Sequence, residues 1–144
     1  MRKFRFLIVC AGILALTLAG SALAQPGRGP GAGYGRMYNP QTVETLSGQV
    51  VSVDTFSGRG GYQGIHLTLK TDKETIPVHL GPSWFMDRQN VKFGAQDTVE
   101  VTGSRVTFDG KPAIIAAEVK KAGQSLKLRD ANGIPLWAGQ GRRR

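Results

Sequence analysis

From Thr42 onward, apolar and polar residues alternate with period two, the pattern of half-buried strands rather than helices. In the first run Leu46, Gly48 and Val50 share one face, after which Val51 and Val53 take the apolar role with the opposite parity. A parity switch inside a strand predicts a β-bulge, which the long curled first strand of a small barrel needs. Two further runs follow a glycine-rich loop over Phe56 to Gly64: Ile65, Leu67 and Leu69, then Ile76, Val78 and Leu80. Both sets must face one core. A turn centred on Asp72 and Lys73 then pairs Leu69 with Ile76 and Leu67 with Val78, and sets His66 directly opposite His79 on the outer face. Pro77 has no amide donor, so its strand is expected to lie at an edge or bulge there.

Gly81-Pro82-Ser83 ends this strand, and Pro82 suits the first turn of a helix running through Trp84, Phe85 and Met86 to about Asn90. Val91 and Phe93 return to the core. Strands are predicted over Thr98 to Phe108, bent at Gly103, and over Pro112 to Lys120, joined by a tight Asp109-Gly110 turn. In the second of these Ile115, Ala117 and Val119 are expected on one face, with Ile114 needing cover. A sixth short strand is expected over Ser125 to Arg129. Asp130-Ala131-Asn132-Gly133 reads as a turn braced by Asp and Asn, with Gly at positive φ, and Ile134-Pro135-Leu136-Trp137 as an apolar clamp.

Three strands, a short helix and a two-strand hairpin predict an all-β fold, a five-stranded Greek-key OB-fold barrel with a C-terminal extension. An SH3-like barrel is the alternative, because strand number alone does not separate small barrels.

The rest of the chain divides around this domain. Residues 1–24 have a basic start, an apolar run from Phe6 to Leu18 and the small-residue ending Ala22-Leu23-Ala24, the pattern of a signal peptide cleaved before Gln25. A retained anchor is the rival reading, although the uninterrupted run is short of the ~20 residues that span a bilayer. Residues 25–41 are dense in Gly and Pro and read as a flexible linker, with Tyr38 packing on the domain edge; the domain spans residues 42–139, and residues 140–144 form a basic tail. The formal net charge of +9 is concentrated outside the domain: residues 40–139 hold 11 Lys+Arg against 10 Asp+Glu. That balance argues against a basic nucleic-acid groove and for tails that touch anionic surfaces. Cys10 is the single cysteine and lies in the signal, so the exported chain has no disulfide framework, thiolate metal site or cysteine nucleophile.

The sequences Val50-Val51-Ser52-Val53-Asp54, His79-Leu80-Gly81-Pro82-Ser83-Trp84-Phe85, Val99-Glu100-Val101-Thr102-Gly103, Ile115-Ala116-Ala117-Glu118 and Leu128-Arg129-Asp130-Ala131-Asn132-Gly133-Ile134-Pro135-Leu136-Trp137 together resemble the exported domain of the MamS/MamX magnetosome proteins. The plan also resembles periplasmic bacterial OB-fold proteins. The resemblance implies a small accessory protein, in a group with some members tied to iron handling or electron transfer. Its redox-active members carry haem on CxxCH motifs, which this sequence lacks, so that activity does not transfer.

Two constellations carry candidate chemistry, while a third, Arg129-Asp130 beside Asn132-Gly133, invites an active-site reading but reads first as a turn and its flank. His66 and His79, with Met86 beyond the Gly-Pro corner, could share copper or another transition metal, because cross-strand Cβ atoms lie only ~4.5–5.5 Å apart. Two histidines on an exposed strand face are more often ordinary polar surface. Trp84, Phe85 and Trp137, with Arg59 and Tyr62 of the glycine-rich loop, form the candidate ligand-binding set. Aromatics at a barrel mouth stack on bases or sugars, whereas a helix after the third strand more commonly plugs the barrel. No acid–base pair, phosphate loop or nucleophile triad is present. The sequence therefore predicts an exported accessory protein that binds rather than catalyses. Its partner would be another periplasmic or membrane-associated protein, with metal delivery through the histidines as the competing function.

Overall fold

The computed structural model describes residues 37–140. The segment expected to be a signal peptide, nearly all of the expected Gly/Pro-rich linker and the basic residues beyond Gln140 lie outside the described residues. No helix among the described residues is long and apolar enough to cross a membrane.

A single 3-10 turn over Pro40–Thr42 leads into β1 (Val43–Ser57), followed by β2 (Gln63–Lys70), β3 (Thr75–Pro82), a one-turn helix α1 (Ser83–Met86), β4 (Thr98–Phe108), β5 (Lys111–Lys121) and β6 (Gln124–Lys127). The strands are hydrogen-bonded in the order β3-β2-β1-β4-β5-β6, and β3 also pairs with β5, so the first five form a closed ring with β6 on its flank. All pairings are antiparallel except β3 with β5, a short parallel contact of Val78 with Ile114 and His79 with Ile115.

Closing so few strands demands sharp bends, and each bend has a local cause. β1 pairs with β4 through Val43 to Gln49 and with β2 through Gln49 to Ser57. It changes partner at Gln49, next to Gly48, where a Cβ would collide with the Lys70 carbonyl. The predicted parity switch is a bulge at Val51, skipped between the Val50–Leu69 and Ser52–Thr68 pairs. Val51 and Val53 nevertheless remain exposed, at 51% and 38%, because this half of β1 runs past the ring with a neighbour on one side only. β4 and β5 bend together, with Gly103 opposite Ala116, Thr102 opposite Glu118, and Ala117 left over. That bulge overturns the expected facing of β5: Ile114 and Ala116 join Val119 in the core, and Ile115 lies on the other face.

The ring interior is filled by Val50, Leu67, Leu69, Ile76, Val78, Leu80, Met86, Val99, Val101, Ile114 and Val119, with Leu126 and Leu128 arriving from the C-terminal side. At ~1.5–3 kcal/mol for each large aliphatic side chain buried, this cluster is the main stabilising term. Register follows from it. Leu69 pairs with Ile76, Leu67 with Val78 and His66 with His79, as the alternation requires. Pro77 is exposed and β3 meets β5 only beyond it, so its missing donor leaves no gap in that pairing.

The helix is shorter than the expected run to Asn90. It stops after Met86 because that side chain enters the core, and Lys92 Nζ donates to the carbonyls of Met86 and Asp87. Asp109 and Gly110 both take positive φ (49° and 75°), giving the tight hairpin. The sixth strand covers Gln124–Lys127, slightly earlier than expected. After it, Asp130 Oδ1 accepts the amides of Asn132 and Ile134, which makes the predicted turn. The clamp works differently from its sequence pattern: Ile134 and Leu136 are 54% and 44% exposed, and Trp137 is the member packed against the core. Tyr38 packs over Gly133, as the linker reading proposed.

Gly103 offers a direct check, since a Cβ there would strike the Ile115 carbonyl and the Ile114 side chain. Gly103→Ala is expected to lower unfolding free energy by about 1–3 kcal/mol. Gly110→Ala meets no atom. It is expected to cost about 1 kcal/mol, from its backbone conformation alone. Urea denaturation of both variants measures the difference.

Candidate functional site

Across the ring, register aligns one row of residues on the outer face: Asp54 of β1 opposite His66 of β2, His66 opposite His79 of β3, and His79 beside Ile115 of β5. A bulge at Leu80, between the Ile65–Gly81 and His66–His79 pairs, keeps both imidazoles on this face. The two rings lie 3.7 Å apart between centroids, tilted by 52°. Phe56, at the end of β1, stacks on His66 at 3.9 Å, and Phe108, at the end of β4, meets His79 edge-on at 5.4 Å. Tyr62 extends the group through Phe56, at 5.7 Å.

This enclosure corrects the expected exposed strand face. His79 is only 3% accessible and His66 is half-buried, because aromatic side chains from the ends of β1 and β4 fold over them. Burial is also the main reason that both histidines titrate low, at about 4. The Asp54 carboxylate pulls His66 partly back up, while the Arg129 guanidinium pushes His79 further down. Both imidazoles are therefore neutral at neutral pH, the form that can donate a nitrogen lone pair to a metal.

The remaining candidates separate into other places. Met86 is 7% exposed within the core cluster, to which neither histidine belongs. Among the described residues no group of three or more His, Cys, Asp or Glu side chains is arranged to hold a metal ion. Phe85 packs against Trp137 at 5.1 Å and edge-on to Trp84 at 6.1 Å, and both Phe85 and Trp137 press on the core, the arrangement of a plug. Trp84 also carries the Arg88 guanidinium 5.3 Å above its ring. Arg59 is exposed in the single turn between β1 and β2, and Tyr62 follows that turn at 40% exposure.

One residue taken from sequence as a turn flank proves central. Arg129 is 6% exposed, and its Nη1 donates to the carbonyls of both Leu80 and Ala116, one from β3 and one from β5. Those residues come next after the His79–Ile115 pair, where the parallel contact ends. Trp137 lies 4.9 Å from the guanidinium, and burial lowers the Arg129 pKa to about 10. Phe56 and Phe108 were likewise outside the candidate set. Their positions at strand ends, each flanking a glycine-containing turn, are the sequence signal that points to them.

The fold and these sites define a small all-β domain with six strands, five of them ring-closed, and aromatic and histidine side chains gathered on one outer face. The chain belongs to the MamS/MamX magnetosome protein family, whose model matches residues 42–126. No curated protein matches it.

The low histidine pKa values make stability fall with acidity in a defined window. Unfolding raises each histidine from about 4 toward 6.5, so the unfolded chain takes up more protons between these values. Stability is expected to be level above pH 6.5 and to fall as pH drops from 6.5 toward 4, with ~2 kcal/mol lost by about pH 5 for His79 alone. Urea denaturation at pH 7 and pH 5 measures it, and His66→Gln/His79→Gln should flatten the loss.

Proposed function

We propose that the protein is an exported, non-catalytic accessory protein of the magnetosome type, built on an OB-fold barrel and working by binding. Membership in the family supports the accessory role. The ring order β1-β2-β3-β5-β4, with a parallel β3–β5 closure and a helix between β3 and β4, favours an OB-fold over an SH3-like barrel. The signal-like residues 1–24, the linker and the basic tail fit a tethered domain delivered to the periplasm, near an anionic surface.

The observation that carries the binding role is the position of the aromatic–histidine cluster. OB-folds bind on the face of strands 2 and 3, between the loops that follow strands 1 and 4. Here that face carries half-buried His66 and, beneath the rings, buried His79, flanked by Phe56 and Tyr62 on one side and Phe108 on the other. Balanced domain charge favours a protein or small uncharged ligand over nucleic acid. The test is capture of partners from periplasmic extract by the full chain, compared with Phe56→Ala/Phe108→Ala. Partners retained on the wild type should fall at least about fivefold on the variant, the loss of ~1 kcal/mol or more that an interface anchor carries. An unchanged set removes this face from the function.

A second reading is favoured by the close pairing of two neutral imidazoles, which suits copper or another transition metal. Calorimetric titration with Cu(I), Cu(II), Zn(II) and Fe(II) tests it. Stoichiometric heat lost in His66→Ala/His79→Ala supports the metal role, and heat unaffected by the substitutions ends it.

A further inference from the structure

The described chain begins and ends beside the same small hairpin, the one held by the Arg129–Pro135 bridge and by the Leu136 amide on the Leu128 carbonyl. At the start, Tyr38 packs on Gly133, and the Asn39 amide donates to Ser104 Oγ as the chain turns into β1. At the end, Gln140 donates its backbone amide to the Trp137 carbonyl and its side-chain amide to the Leu136 carbonyl. The linker therefore enters, and the tail leaves, on either side of Ile134.

This hairpin carries an apolar patch. Ile134 is 54% exposed and Leu136 44%, and Leu136 shares a cleft of about 520 Å³ with Tyr38, Pro40 and Val43, the last 39% exposed. Six large hydrophobic side chains are exposed among the described residues, and three of them gather here; the others, Val51, Val53 and Tyr62, belong to β1 and the β1–β2 connection. Single exposed aliphatic residues need no explanation, whereas a cluster lining one cleft marks an interaction site.

The charge of the chain identifies what covers it. Residues 25–36 and 141–144, which flank the described domain, hold Arg28, Arg36, Arg142, Arg143 and Arg144 and no acidic residue. At the cleft itself charge balances, with Lys127 and Arg129 against Glu118 and Asp130. An uncharged apolar patch between two arginine-bearing segments matches an anionic bilayer, which admits aliphatic side chains at its headgroup boundary and attracts cations to its phosphates. Peripheral binding becomes firm only when two such signals act together.

We propose that the face formed by Tyr38, Pro40, Val43, Ile134 and Leu136 docks on an anionic lipid bilayer, the aliphatic side chains entering at the headgroups while the flanking arginines meet the phosphates. Its electrostatic half rests on the reading of the tails as tethers near an anionic surface; its apolar half is a property of the domain. Apart from Val43, these residues lie outside the family match over residues 42–126.

The test is co-sedimentation with lipid vesicles of the chain from Gln25 onward, which keeps every described residue and both flanking segments. It should bind vesicles of phosphatidylglycerol and phosphatidylcholine in equal parts, and bind phosphatidylcholine alone at least about tenfold more weakly. Ile134→Ser/Leu136→Ser should weaken binding to the mixed vesicles about tenfold, and Val51→Ser/Val53→Ser, equally exposed but on β1, should not. Arg142→Ser/Arg143→Ser/Arg144→Ser should lose at least as much, together with most of the salt dependence. If Ile134→Ser/Leu136→Ser loses its fold by circular dichroism, Ile134→Glu decides, since a carboxylate at the most exposed position opposes both attractions. Unchanged binding in the Ile134 variant, or an equal loss in Val51→Ser/Val53→Ser, overturns the docking face and leaves the tails as tethers. No binding by the unaltered chain overturns both. Self-association without lipid that is lost in Ile134→Ser/Leu136→Ser assigns the face to a second copy and likewise overturns the proposal.

Discussion

Leu80 and Ala116 present backbone carbonyls at the point where β3 and β5 part company, and Arg129 Nη1 meets both. The ring is complete only because β3 and β5 touch, yet their ladder spans just two residue pairs. Beyond it the ladder stops, and the Leu80 and Ala116 carbonyls take the Arg129 guanidinium as donor. A guanidinium can serve two acceptors at once from one nitrogen, which a lysine or a backbone amide does with poorer geometry. The charge so introduced is held beneath Trp137, whose ring offers partial compensation for the water it has lost. The bends elsewhere, at Gly48, Val51 and Gly103, bring the chain to this closure, and the C-terminal segment completes it.

Much of the architecture could be read from alternation. The β2–β3 register came from parity and turn position alone, since a one-residue slip would turn Leu67, Leu69, Ile76 and Val78 outward. The β1 bulge was legible for the same reason. What alternation could not supply were features with distant causes. The facing of β5 inverts at Ala117 because Gly103, on a neighbouring strand, lets the two backbones close together, and the carbonyl of Ala117 receives the amides of Leu128 and Arg129. The exposed strand face expected for the histidines fails because Phe56 and Phe108 reach it from other strands. Arg129 was assigned to the turn beside it, since Asp-x-Asn-Gly is so strong a turn signal that it also accounts for the adjoining base.

Electrostatics and packing also divide the molecule. Arg105 ties Glu44 of β1 and Glu74 of the β2–β3 turn to β4 from a partly exposed position, where such a network adds modestly to stability and sets alignment. On the opposite side of that balance are groups withdrawn from water: two imidazoles held neutral and one guanidinium held charged. The first pair makes aromatic contacts, and the guanidinium serves backbone carbonyls beneath an aromatic ring. Both lie where strands end or separate, since there the backbone leaves room for side chains to converge.

Arg129 follows the last strand, β6, in chain order. The fifth strand can meet the third before it, but the bond that secures them depends on a residue that comes after both. Until that residue is in place the ring is a sheet with an unsecured seam, loosely held and easily drawn out again. Final closure is coupled to the segment after β6, so a chain cut short there keeps every strand and loses the fastening.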